Sequence, residues 1–132
     1  MYTIIRFTSQ SIEPEVHERV GGKLNVLIPG AYQGLRRAGD GFASELSEAG
    51  IWRIHRTAIL KFLRAGCAAI AEARQAGIDV CVDVAIEPED LMATQVFCLR
   101  ADPELTRSLA DADVGLEFSF YGAGPGDGGG KT

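Results

Sequence analysis

The sequence has little of what marks membrane, secreted or metal-binding proteins. No apolar run approaches the roughly 20 residues that span a bilayer. The opening residues Met1, Tyr2, Thr3 and Ile4 carry neither the charged head nor the long apolar stretch of a secretory signal, so no membrane association and a cytoplasmic location are expected. The three cysteines, Cys67, Cys81 and Cys98, are 14 and 17 residues apart, and no pair has the short spacing of a zinc or redox motif. Histidine is scarcer still. His17 and His55 have no second His or Cys at ligand spacing, so no metal or cofactor is expected, and both read as surface or boundary residues. No local signature surrounds Cys81 or Cys98 as a nucleophile, no catalytic residue is assigned, and an enzyme is not expected. The end of the chain, Gly124 to Thr132, looks like a phosphate-binding loop, but Pro125 stands where the first required glycine belongs.

What remains is a chain of 132 residues, 46% hydrophobic and 23% charged, long enough to bury a core without disulfide or metal support. The net charge is −5, and it is unevenly spread. Residues 1–78 hold 10 basic and 7 acidic side chains, whereas residues 79–117 hold 2 and 10. That second segment is unsuited to nucleic acid, whose backbone is held by Lys and Arg. A basic protein is its natural complement.

The patterning implies an α+β domain over residues 1–121 and a flexible glycine-rich tail over residues 122–132. Residues 2–8 read as a strand, followed by a short helix from Pro14 that stops at Gly21 and Gly22. Residues 23–50 read as loop-rich, with only residues 24–28 strand-like. Residues 51–55 read as a strand carrying Trp52, and Thr57 as the N-cap of a helix over residues 57–76. Ile59, Leu63, Gly66, Ile70 and Ala73 form one apolar stripe along that helix, which Gly77 ends. Residues 78–86 alternate strictly, placing Val80, Val82 and Val84 on one face and Asp79 and Asp83 on the other. Glu87, Pro88, Glu89 and Asp90 read as a linker to a strand over residues 94–100. Asp102, Pro103 and Glu104 then open a helix containing Leu105 and Leu109. A last strand over residues 114–121 points Leu116, Phe118 and Phe120 at the core and leaves Glu117, Ser119 and Tyr121 on the other side. From Ile51 this order matches a ferredoxin-like βαββαβ arrangement with an additional N-terminal strand and helix, the helices covering one sheet face.

Several of these positions carry a resemblance. Gly50, Ile51 and Trp52, the long helix ending at Gly77, the strand from Ile78, the Asp102, Pro103, Glu104, Leu105 stretch and the closing Phe118, Ser119, Phe120, Tyr121 resemble a widespread bacterial family of uncharacterised domains of about 130 residues. That resemblance extends over most of Ile4 to Tyr121 and implies a fold, with no catalytic motif. It also implies an association with bacterial toxin genes, and so an immunity role. Combined with the acidic segment, the expectation is an immunity protein that binds and blocks a cognate toxin domain, such as a basic nuclease. Its candidate contact residues are Asp79, Asp83, Glu87, Glu89, Asp90, Glu117 and Tyr121. The competing reading is a small-ligand-sensing or regulatory dimerisation module with a ligand loop at Gly30 to Gly41; a homodimer is compatible with either.

Overall fold

The computed structural model describes residues 1–9, 14–30, 41–93 and 97–122. The fold is α+β. Its elements run β1 (Tyr2–Thr8), α1 (Pro14–Leu27), β2 (Phe42–Glu48), α2 (Trp52–Ala65), α3 (Cys67–Gln75), β3 (Asp79–Ile86), α4 (Pro88–Met92), α5 (Pro103–Ala112) and β4 (Gly115–Phe120). Four strands form one mixed sheet in the order β2-β1-β3-β4, with β1 antiparallel to both neighbours and β3 parallel to β4. The ferredoxin-like arrangement is therefore corrected. Residues 51–55 and the described part of the other expected strand, residues 97–100, are not in the sheet, and β1 and β2 take their places.

Each correction has a local cause. His55, Ile59, Phe62 and Leu63 are all buried at intervals of three and four, so the helical stripe reaches back through residues 51–55, and Ile51 rather than Thr57 is the N-cap. In α1 the buried residues His17, Val20, Gly21 and Leu24 continue the helical period straight through the glycine pair to Leu27, which removes both the expected stop and the strand over residues 24–28. The supposed linker is α4: Pro88 begins the helix, and the Asp90 carboxylate accepts from the Glu87 amide at 2.9 Å in a reciprocal capping box. Residues 94–96 lie outside the described residues. Residues 97–101 have no ladder partner among the described residues, and the carbonyl of Arg100 accepts from Trp52 Nε1 at 2.9 Å.

The apolar alternation in β3, the stop at Gly77 and the helix opened by Asp102 hold, whereas the single helix expected over residues 57–76 is two, α2 and α3, separated at Gly66. Val80, Val82, Val84 and Ile86 are fully buried on the helix side of the sheet with Ile5 and Phe7, against Val20, Leu24, Ile59, Ile70 and Leu105. Each such side chain contributes about 2 kcal/mol. Gly77, at φ 82°, ends α3 in a Schellman turn: its own amide donates to Arg74 and that of Ile78 to Ala73. At Gly41 the constraint is contact, because a Cβ there would lie 1.7 Å from the Phe7 carbonyl oxygen. This close approach feeds β2 into register beside β1, where Phe42 stacks on Phe7 at 4.9 Å.

Both histidines are buried, contrary to the surface reading. His55 binds three elements together. A carbonyl oxygen can only accept, so Nε2 carries the proton donated to Ala49 O at 2.9 Å. Nδ1 is left facing the hydroxyls of Thr3 on β1 and Ser47 on β2, at 2.8 and 2.7 Å. His17 has no hydrogen-bond partner among the described residues and meets Phe42 edge-on at 6.1 Å.

Burial pushes the His17 imidazole below its ordinary value of 6.5. The unfolded chain takes up this proton as the pH falls below 6.5 while the folded chain resists it, so stability declines with acidification through that range. Urea melts between pH 7 and pH 5 should show a shallower decline for His17→Leu than for the native chain. Gly22 offers a second test. It lies inside α1 and a Cβ there meets nothing within 4 Å, so Gly22→Ala should stabilise by about 0.5–1 kcal/mol, seen as a higher urea midpoint at unchanged slope.

Candidate functional site: the open face of the sheet

All helices that touch the sheet pack on the side of Ile5, Phe7 and Val82, and no described helix covers the other side. That open face is built by alternation. Tyr2, Ile4 and Arg6 of β1 share it with Cys81, Asp83 and Ala85 of β3, because the register sets Tyr2 opposite Ala85, Ile4 opposite Asp83 and Arg6 opposite Cys81. Parallel pairing adds Glu117 and Ser119 of β4, opposite Asp83 and Ala85. Antiparallel pairing adds Glu45 and Glu48 of β2, opposite Ile4 and Tyr2. These last two acids went unassigned in the sequence because β2 itself was not legible there.

The centre of the face is an ion-pair cluster. Asp83 has no solvent exposure, contrary to its expected place on a wet surface. One of its oxygens accepts from Ser119 Oγ at 2.7 Å and the other lies 2.6 Å from the Arg6 guanidinium, which also reaches Glu117 at 3.7 Å. Asp83 and Glu117 are thus register partners with a shared cation.

The remaining acids divide by position. Asp79 is exposed at the end of β3 and meets Arg74, which also holds Asp113. Glu45, Glu48 and Glu117 are exposed around the cluster. Glu87 borders the face near Tyr2, whose phenol is raised above its ordinary value by burial and by Tyr121, Glu87 and Asp83. Glu89 is exposed on α4. Asp90 is not available to a partner: it holds the Met1 ammonium at 2.9 Å, and this contact and the Glu87 amide outweigh burial to keep its carboxyl below the ordinary range. Tyr121 is half-exposed just past β4, its amide donating to Ile86 O at 2.9 Å. In the middle of the face the Cys81 thiol is pushed up to about 11, first by burial and then by Glu117, Asp79 and Asp83. It is therefore a poor nucleophile. Among the described residues no group of three His, Cys, Asp or Glu is placed to hold a metal ion, and no helix is long and apolar enough to cross a membrane. The candidate ligand loop at Gly30 to Gly41 falls mostly outside the described residues, as does the glycine-rich tail beyond Gly122.

Comparison of the chain with protein-family models, with curated proteins and with solved structures returns no match.

Removing Arg6 leaves Asp83 as a buried carboxylate with one hydroxyl partner. Breaking a fully buried pair costs about 3–5 kcal/mol, and access of water to the partly exposed Arg6 side chain brings this to about 2 kcal/mol for Arg6→Gln. Pairing that change with Asp83→Asn should restore most of the loss; a double variant that is destabilised by the plain sum of the single changes would show the two groups to be uncoupled.

Proposed function

We propose that the chain is a protein-binding domain of the immunity type, acting in the cytoplasm, whose open sheet face docks on and blocks a basic domain of a cognate toxin. The supporting observation is the composition of that face. Tyr2, Ile4 and Arg6 lie along β1 on this face, Tyr121 interacts with Tyr2 from just past β4, and exposed Glu45, Glu48, Asp79 and Glu117 surround them. Tyrosine and arginine are the side chains that most often anchor interfaces, and an excess of one charge around them steers an oppositely charged partner. A nuclease is a suitable target class, because a surface that binds phosphate backbones is rich in Lys and Arg. An acidic face covering it both blocks the site and satisfies its charges.

Asp83 supports this surface from below and does not contact the partner, whereas Glu45 and Glu48 join the contact set. Two copies of the face laid together would set acids against acids, which disfavours a symmetric dimer through it.

Co-expression with the product of the adjacent gene, followed by co-purification and growth rescue, tests the reading. The complex should form faster at low salt, and Glu45→Lys with Glu48→Lys should slow association about tenfold. The reading fails if there is neither complex nor rescue, or if a complex forms at a rate indifferent to both charge reversal and salt.

A further inference from the structure

At the opposite edge from β2, β4 pairs with β3 alone among the described residues, so its outer row of backbone amides and carbonyls has no ladder partner there. Natural edge strands are commonly blunted by lysine, proline or a bulge. The sequence of β4, GLEFSF, has no lysine or proline and pairs without a register shift. On its helix side Phe118 and Phe120 stay 36% and 63% exposed, so neither completes the core as the alternation predicts. With Leu91, Phe97 and Leu99 they line an open apolar groove of about 320 Å³. The Trp52 ring lies 6.0 Å from that of Phe118. On its other side the same strand presents Glu117, exposed and part of the acidic face.

We infer that β4 receives an extended segment of the partner protein as a fifth strand, with apolar side chains at alternate positions seated over Phe118 and Phe120 and Lys or Arg between them facing Glu117. The inference rests on the open-face reading and specifies how the partner engages it. Alternation makes the two requirements compatible, since successive side chains of an added strand fall on opposite sides of the sheet. Charge selects the occupant. A second copy of β4 would place its own Glu117 on the acidic face, whereas a basic segment complements it. Six residues of strand, about 20 Å, suit a segment of six to eight residues.

The probe is an acetylated, amidated peptide of alternating Lys and Val, eight residues long, added to the isotope-labelled full chain at low salt. Two controls have the same length: Lys and Val in separate blocks, and alternating Glu and Val. The alternating basic peptide should slow exchange of the outward β4 amides at least tenfold and shift the Phe118 and Phe120 ring signals, while the controls do neither. Phe120→Asp and Glu117→Lys should each weaken binding at least tenfold with an unchanged circular dichroism spectrum, both side chains being exposed. No binding, or equal binding of the block peptide, overturns the added strand. Shifts confined to Glu45, Glu48 and Arg6 overturn it too but leave the open face standing, and the charge-reversal experiment on β2 tests that face separately. A dimer of the free chain that Phe120→Asp dissociates assigns the groove to a second copy and overturns the inference.

Discussion

A carboxylate without solvent exposure has to be paired, and Asp83 is such a carboxylate in the central part of the sheet. Its partners come from the strands on either side, Arg6 from β1 and Ser119 from β4. A one-residue slip of either strand would turn those partners to the helix side and abandon the charge, so the cluster fixes the register of three strands at once. On the helix side the equivalent constraint is volume, met by Val80, Val82, Val84 and Ile86. The two faces of β3 thus specify the same register by unlike means, one by charge pairing and one by close packing.

The same residues decide what the open face can present. Arg6 is shared between Asp83 and Glu117, and Arg74 between Asp79 and Asp113, so part of the acidic excess along residues 79–117 is answered by cations from the first half of the chain. Arg56 does the same for Asp102 and Glu104 away from the sheet. Charge asymmetry along the sequence is therefore larger than charge asymmetry in space. What stays negative on the face is a rim, and half of that rim, Glu45 and Glu48, comes from the nominally basic half of the chain.

β4 is where the two sides of the sheet meet at an edge. Its Glu117 belongs to the ion-pair cluster, while Phe118 and Phe120 belong to an apolar groove that the helices leave uncovered. A charged surface and an apolar one are consequently separated by one residue of strand. A single extended segment can use both.

The sequence by itself determined the elements whose cause is local. The alternation of β3, the N-cap of α5 at Asp102, which accepts from the Leu105 amide at 3.0 Å, and the stop at Gly77 each depend on a few neighbouring residues and hold as read. The face carrying Asp79, Asp83 and Glu117 was legible for the same reason, from period two. Tertiary structure decided the rest. β2 exists because Gly41 lets its chain approach β1 closely and Phe42 stacks on Phe7, neither of which local propensity reveals in a segment such as FASELSE. Whether Asp83 is wet or buried, and whether Phe118 and Phe120 complete the core or line a groove, depends on which side chains from distant segments arrive over them. Periodicity assigns a residue to a face, and only packing determines what covers it.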